Sequence, residues 1–304
     1  MTDNLTHSLF ALFIGIILIH YLKIKGKKRL PYIAILIAGN IPDIDFIIRF
    51  FGAGFYFVNH RVLSHSIIGL IIFTIMITFI FSYILKQKQY FKYLILCLVG
   101  IVAHLFLDAI TSFGTELMYP INNIRYAWNL IPVVDIFVLI IFFIGIWFLK
   151  IQPKNRVKIA KATLFIFFIF IFFKVGLHTQ AAHAVSELEE SANFEVIPHF
   201  LNPFGWRVVI TNPDSYLISD FDLTIGGFKK FHYFPISEKE KVEASKNSFF
   251  ARQFLEFAKV PYPLVENNTI TWMDLRMTTD KVEWITVEVK LDENLNIIKE
   301  NFLG

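Results

Sequence analysis

The apolar run YLILCLVGIVAHLFLDAIT, residues 93–111, decides the fold, because it is long enough to cross a lipid bilayer yet contains a histidine and an aspartate. A hydrocarbon core about 30 Å thick requires about 20 helical residues. His104 and Asp108 are four positions apart, so one helix face presents both. Ionisable groups at membrane depth are costly and usually functional. The pair can bind one ion, or the histidine can be hydrogen-bonded to Asp108 within the bundle.

The composition extends this interpretation to more than half of the chain. Hydrophobic residues make up 55% of the sequence and phenylalanine alone contributes 35 residues, which is too apolar for an ordinary soluble domain. The long apolar runs end near residue 178, and charges and turn residues follow. We therefore predict a mainly α polytopic membrane helix bundle over residues 1–180, followed by a small α+β soluble domain over residues 181–304.

Three clusters of lysine and arginine give the predicted topology. They lie at residues 23–29, 86–92 and 150–161, and short basic loops stay in the cytoplasm. This pattern fits six spans: 8–22, 31–48, 66–85, 93–111, 130–149 and 162–178. The chain is then a multi-pass protein of the bacterial cytoplasmic (inner) membrane, with both termini and the soluble domain outside the cytoplasm.

Polar residues recur at one depth in these spans. Counted from the nearest basic cluster at 1.5 Å per helical residue, they lie roughly 18–24 Å into the membrane. The residues are His7, Asp43, Asp45, His104, Asp108 and Asp135. Histidine and aspartate at one level indicate a metal site in the outer half of the bilayer.

The segment Gly39-Asn40-Ile41-Pro42-Asp43-Ile44-Asp45 interrupts the second predicted span. Pro42 lacks an N–H and disrupts the preceding turn. Two aspartates two positions apart point to nearly opposite faces of a regular helix, whereas a broken helix can turn both toward one point. The alternative is a kinked helix end with solvated acids.

The segment His60-Arg61-Val62-Leu63-Ser64-His65-Ser66 precedes the third predicted span. Ser64 or Ser66 is a suitable N-cap for that helix. Arg61 is the natural partner of a phosphate or carboxylate, because its guanidinium binds such groups bidentately. The alternative is an interfacial loop of ordinary polar residues.

These observations give a predicted site. The metal ligands would be His7, Asp43, Asp45, His60, His65, His104 and Asp108. Asp45, Asp108 and Arg61 would be catalytic, and Ser64 would support a ligand. Asp135 could be a ligand, an acceptor for a ligand histidine or a helix-start acid. Cys97 is the only cysteine, so nitrogen and oxygen must bind the ion, which fits Zn²⁺, Mn²⁺ or Fe²⁺. Seven groups allow one or two ions.

The same motifs resemble the YdjM/YfhP-type family of membrane-bound, metal-dependent hydrolases. They are Thr6-His7-Ser8, Pro42-Asp43-Ile44-Asp45, the His60–Ser66 segment and His104-Leu105-Phe106-Leu107-Asp108. Thr111–Thr115, Trp128-Asn129, Asp135 and Asn202–Trp206 resemble the YfhP branch in particular. The resemblance implies a hydrolase whose metal is bound by these histidines and aspartates. Some members are described as regulators, which leaves a non-enzymatic role open.

The C-terminal chain reads as strands around a helix. Strands are predicted at 206–212, 215–225, 269–277 and 282–291, where β-branched and aromatic residues are frequent. A helix is predicted over 237–259, beginning with Ser237 and Glu240 as a capping box. The domain contains no ligand cluster, and it would cover the membrane site, select a substrate or bind a partner.

The function favoured by this reading is metal-dependent hydrolysis near the outer leaflet, with water as nucleophile. The depth of the site favours a phospholipid or a lipid-linked phosphate ester as substrate. The bilayer is the expected partner, and no nucleic-acid partner is expected. The alternatives are a metal-binding transporter and a non-catalytic regulator or scaffold with a structural metal.

Overall fold

The chain folds into two compact units in the computed structural model. The first unit comprises Met1–Ile44, Arg61–His178 and Pro198–Pro203, and the second comprises Asp45–His60, Thr179–Ile197 and Phe204–Gly304. The structure describes residues 3–25, 27, 29–84, 86, 88–188, 193–276, 278–279, 282–283 and 285–303. Lys28 of the first basic cluster and Met277 of a predicted strand lie outside the described residues.

Seven α-helices occupy the described N-terminal 188 residues. They are α1 (Asn4–Tyr21), α2 (Leu30–Ala38), α3 (Ala53–Asn59), α4 (Ile67–Phe79), α5 (Tyr90–Ala109), α6 (Ile136–Ile151) and α7 (Arg156–Leu188). Four segments of the described chain are helical, long and apolar enough to cross a membrane: Asn4–Tyr21, Ile67–Ile84, Tyr90–Ala109 and Pro153–Leu188. Helix α6 is apolar but has only 16 residues. The structure therefore supports several membrane helices and does not confirm six.

The predicted span 31–48 is interrupted at the expected place. Helix α2 ends at Ala38, and a 3-10 helix covers Ile41–Phe51. Nine residues of α-helix cover roughly 14 Å, about half of the hydrocarbon core. Asn40 at the break donates its amide to the Leu36 carbonyl at 2.7 Å and to the Ser8 hydroxyl at 3.1 Å. The side chain therefore supplies hydrogen bonds where the regular helix stops.

Short polar side chains cap three helices of the first unit. Ser66, one of the two predicted caps, accepts a hydrogen bond from the Gly69 amide at the start of α4. Asp135 accepts from the Phe137 and Val138 amides and so begins α6. Asp3 accepts from the Thr6 amide and begins α1. Each cap satisfies a backbone donor that the apolar surroundings cannot.

Small residues let the helices that carry the candidate site approach closely. A Cβ added at Gly39 would meet the Ala11 Cβ at 2.6 Å, and one added at Gly100 would meet the Ala38 Cβ at 2.9 Å. Helices α1, α2 and α5 therefore pack backbone to backbone, as small residues permit in membrane bundles. This contact fixes the ends of the three helices relative to one another.

The described residues of the second unit form two larger sheets and one two-stranded sheet. The strands are β1 (Asn193–Pro198), β2 (Gly205–Asn212), β3 (Ser215–Asp222), β4 (Gly227–Phe228), β5 (His232–Pro235), β6 (Pro261–Glu266), β7 (Thr269–Asp274), β8 (Thr278–Thr279), β9 (Val282–Glu283), β10 (Thr286–Leu291) and β11 (Ile297–Leu303). One sheet has the order β1-β2-β3-β4 with β5 on β3, the other has the order β11-β10-β7-β6, and β8 pairs with β9. The two larger sheets share a core, in which Val209 and Ile218 of the first meet Tyr262 and Met273 of the second.

The helix predicted over 237–259 is two helices, α8 (Lys239–Ser245) and α9 (Phe249–Phe257). Ser248 separates the two helices, because its hydroxyl accepts a hydrogen bond from the Ala251 amide and so begins α9. The capping box predicted from Ser237 and Glu240 is wrong, because Glu238 is the N-cap residue and makes no side-chain capping hydrogen bond. A serine side chain competes for backbone hydrogen bonds, which favours the start of a second helix at Ser248 over the continuation of α8.

A glycine substitution tests the close packing of the first unit. Gly39→Ala should lower the free energy of unfolding by about 1–3 kcal/mol, because the new methyl group overlaps Ala11. Gly176→Ala is the matched control, since nothing lies within 4 Å of its Cβ position in α7. The control should be neutral or stabilising, because alanine favours helix. Unfolding in detergent micelles measures both, and equal stability of the two variants would contradict the packing argument.

Candidate metal centre

The histidine of α5 is held in one tautomer by the break after α2. His104 Nδ1 lies 2.9 Å from the Gly39 carbonyl oxygen, which can only accept, so Nδ1 carries the proton. The lone pair of the neutral imidazole is then on Nε2. A backbone carbonyl in this role is a typical support for a ligand histidine.

Three side chains from two segments meet at His104 Nε2. His65 Nε2 is 3.2 Å away, and Asp108 Oδ2 lies 3.1 Å from His104 Nε2 and 3.2 Å from His65 Nε2. All three residues are at most 1% exposed. Ligand atoms bound at 2.0–2.1 Å to a tetrahedral ion lie roughly 3.3 Å apart. The nearly equilateral triangle of nitrogen and oxygen atoms therefore has the size of one face of such a site.

Asp43 approaches the same two imidazoles. Its Oδ1 lies 3.4 Å from His65 Nε2 and 3.8 Å from His104 Nε2, and the residue is 2% exposed. Neither Asp43 oxygen accepts a hydrogen bond of standard geometry from the described residues. Burying a carboxylate without such bonds is expensive unless a cation or a dipole compensates it. The donor set therefore fits a divalent metal ion.

His7 adds a further nitrogen from α1. Its Nε2 lies 3.4 Å from Asp108 Oδ1, and its ring stacks on that of His104 with centroids 3.9 Å apart. Two groups in the described part of the first unit thus could hold an ion: His7-His104-Asp108 and Asp43-His65-His104. They share His104, which has one nitrogen to offer because Nδ1 binds Gly39. The two groups compete for that nitrogen.

Arg61 is the counter-ion of Asp108. Its Nη2 lies 2.6 Å from Asp108 Oδ1, its Nη1 donates to the Thr111 hydroxyl at 3.3 Å, and its Cζ lies 5.1 Å from the centre of the Phe113 ring. The side chain is buried, and the backbone is left-handed, with φ +62°. The Glu116 amide donates to the Arg61 carbonyl at 3.0 Å, which fixes the turn.

The loop that supports Arg61 contains a second ion pair. Arg125 Nη2 lies 3.2 Å from Glu116 Oε1. Burial raises the pKa of the Glu116 carboxyl, and the guanidinium of Arg125 opposes this only in part. Thr111 and Phe113 lie in the motif Thr111–Thr115 and Glu116 follows it, but none of the three was a predicted site residue.

Asp45 and His60 pair with each other in the second unit. His60 Nδ1 lies 2.9 Å from Asp45 Oδ1, and both side chains are buried. Because the carboxylate accepts from Nδ1, the basic nitrogen of the imidazole is Nε2. Such a carboxylate–histidine pair can support a ligand nitrogen or take a proton. The predicted ligand roles of Asp45 and His60 stay predictions.

The remaining predicted residues have local partners. Ser64 Oγ lies 2.8 Å from His65 Nδ1, the position expected of a group that supports a ligand histidine. Asp135 uses its Oδ1 to cap α6, which is one of its three predicted roles. Its charge also acts on Lys174, a buried lysine of α7 whose Nζ donates to the Pro203 carbonyl at 3.0 Å. Lys174 was not a predicted site residue, and the signal that could have identified it is that it is the only charged residue in the predicted span 162–178.

Apolar helices of membrane length and a buried cluster of histidine, aspartate and arginine define a polytopic membrane protein with a candidate metal centre. A model of the family described as YdjM inner membrane protein matches residues 1–181, and the chain belongs to that family. This match confirms the family resemblance inferred from the motifs and supports the inner membrane as the location.

A relative extends the similarity beyond the matched region. The chain is 24% identical over 235 residues to a Bacillus subtilis (strain 168) protein described as "Uncharacterized protein YfhP". The alignment covers 75% of this chain and 70% of that protein. No solved structure matches.

The buried ion pair of Arg61 and Asp108 should contribute measurably to the stability of the folded chain. Asp108→Asn should cost about 3–5 kcal/mol of unfolding free energy, because it leaves a buried guanidinium without its counter-ion. The double variant Arg61→Met/Asp108→Asn should recover part of this loss. The measurement is unfolding in detergent with a chelator present, so that no bound metal contributes.

The control for the Arg61 and Asp108 substitutions is the exposed ion pair of Lys239 and Asp214. Lys239→Ala should change the stability by less than about 1 kcal/mol, since exposed ion pairs contribute little. Strictly additive effects of the Arg61 and Asp108 substitutions would show that the two side chains do not interact.

Proposed function

We propose that this protein is a membrane-bound, metal-dependent hydrolase that acts on a phosphate ester of an amphiphilic substrate. The observation that carries the proposal is the triangle of His65 Nε2, His104 Nε2 and Asp108 Oδ2, with edges of 3.1–3.2 Å and an arginine on the same aspartate. A divalent ion bound there would supply a Lewis acid and would lower the pKa of a water molecule. Zinc suits two nitrogen donors and a carboxylate, and manganese and iron suit them as well.

The residues of the chain prepare the site in three ways. Gly39 and Ser64 orient the two imidazoles so that their Nε2 atoms converge. Asp108 places one oxygen toward these nitrogens and the other toward Arg61. An arginine so positioned holds an anionic group of the substrate beside the ion, since guanidinium pairs well with phosphate oxygens.

The charge of the cluster favours one ion in the first unit. Asp43 and Asp108 carry two negative charges and Arg61 one positive charge, so neutral histidines leave a net charge of −1. One divalent ion changes this to +1, and an anionic phosphate ester is then attracted. Both candidate ligand groups of the first unit also include the single available nitrogen of His104. We therefore propose that His104 serves one ion at a time.

Metal content tests the site without requiring a substrate. His104→Ala should lower the affinity for Zn²⁺ by at least about tenfold, since even supporting residues contribute that much. His20→Ala is the matched control, because His20 is exposed and lies near the C-terminal end of α1, whereas His7 of the candidate site lies near its N-terminal end. Elemental analysis after dialysis against buffered Zn²⁺ measures both variants. Equal metal content would remove His104 from the site.

Hydrolysis tests the enzymatic role. The full chain in mixed micelles with Zn²⁺ or Mn²⁺ should release product from phospholipids or lipid-linked phosphates. Arg61→Lys keeps a positive charge beside Asp108 but loses the guanidinium, which can bind a phosphate bidentately. Turnover should therefore fall roughly 100-fold, as when one oxyanion donor is removed. Its metal content should stay unchanged, which separates substrate binding from metal binding.

Two results would contradict the proposal that the protein is a metal-dependent hydrolase. A fully metallated protein that cleaves none of these esters would indicate a structural metal. Activity that survives both chelation and His104→Ala would come from another enzyme in the preparation.

A further inference from the structure

Residues 45–60 form a helical hairpin, of which one side is packed on the protein and the other is exposed. The hairpin, named here the aromatic hairpin, consists of the second half of the 3-10 helix Ile41–Phe51, a turn at Gly52 and helix α3. Gly52 has φ +114°, which only glycine adopts readily. Asp45 and His60, which pair with each other, close its two ends.

One face of the aromatic hairpin packs on the β-rich part of the second unit. The Phe57 ring lies 5.7 Å from the ring of Phe257 in α9 and stacks on Phe302 of β11 at 5.7 Å. Gly54 leaves room for the side chains of this surface, because an added Cβ would meet the Gln253 Oε1 at 2.4 Å. This contact explains why residues 45–60 group with the C-terminal chain.

The other face is large, apolar and exposed. Its residues and their exposed fractions are Phe46 55%, Ile47 46%, Phe50 86%, Phe51 77% and Phe55 45%. Soluble proteins rarely leave so contiguous an apolar surface in water, and a patch of this kind marks an interaction site.

We propose that this face inserts into the lipid bilayer and anchors the second unit at the membrane surface. The hairpin follows the apolar helix α2 after residues 39–44, leads back to Arg61, and lies within the region that matches the inner membrane protein family. Between Asp45 and His60 the only charged residue is Arg49, which is exposed. An arginine stem can extend to the headgroups while phenylalanine and isoleucine occupy the acyl region.

Lipid fits this surface better than a folded partner does. Protein interfaces combine an apolar centre with a polar rim that makes hydrogen bonds. The exposed residues of the hairpin offer phenylalanine and isoleucine side chains with a single guanidinium, which matches an interfacial amphipathic segment. The proposal does not depend on hydrolysis, because it concerns only where the hairpin lies.

Site-directed fluorescence in lipid nanodiscs tests the anchor with the full chain. Cys97 is the only cysteine, so a Cys97→Ala background allows single labels. Phe51→Cys carries an environment-sensitive fluorophore such as NBD. Ile75→Cys in the membrane helix α4, where Ile75 is 59% exposed, is the lipid control, and Ile225→Cys between β3 and β4, where Ile225 is 64% exposed, is the water control.

The expected result is that the label at residue 51 behaves like the label at residue 75. Its emission should be blue-shifted relative to residue 225, quenched by spin-labelled phospholipids and protected from aqueous iodide. Phe50→Cys should repeat this pattern. A residue 51 label that iodide quenches as strongly as the label at residue 225 would overturn the proposal. The proposal would also be overturned if the label at residue 51 were protected from both quenchers only in nanodiscs that hold two chains. A second copy of the chain would then cover the exposed face of the hairpin.

Discussion

A carboxylate buried among apolar helices is the constraint on which the first unit depends. Asp108 is fully buried near the end of α5, and its two oxygens face different partners: Arg61 and His7 on one side, His65 and His104 on the other. Such a charge is tolerated only where every direction offers compensation. The capped start of α4 positions His65, and the left-handed turn at Arg61, held by the loop after α5, positions the guanidinium.

Backbone irregularity and side-chain chemistry are linked at this point. The break after α2 frees the Gly39 carbonyl, which sets the tautomer of His104. Irregular backbone at membrane depth is stable only where protein surrounds it, and the tight contacts at Gly39 and Gly100 provide that cover. The helix break therefore leaves His104 Nε2 as the nitrogen that could bind a metal ion, and close packing at Gly39 and Gly100 accompanies the break.

The sequence predicts the parts of the site that follow from helical periodicity and depth. The spacing of His104 and Asp108 puts them on one face, and Pro42 marks the interruption that turns Asp43 inward. The ion pair between Arg61 and Asp108 could not be predicted, since it joins distant positions through a left-handed residue and therefore has no periodic signal. The grouping of residues 45–60 with the C-terminal chain was also missed, because hydropathy assigns apolar residues to a span without showing which surface they contact. Strands β2, β3, β7 and β10 were anticipated from their composition. The division at Ser248 was not, because one hydroxyl decides it.

The distance along the chain between Arg61 and Asp108 has a consequence for biogenesis. Chains emerge from the ribosome N-terminus first, so α1, Arg61 and His65 are made well before α5. Until α5 is made, the guanidinium of Arg61 lacks the carboxylate that it contacts in the folded chain. Asp108 and Arg61 neutralise each other once α5 has packed in the first unit, so the packing of α5 and the formation of this ion pair are coupled. Because Arg61 is synthesised first, the partner of the buried carboxylate is already present when α5 is made.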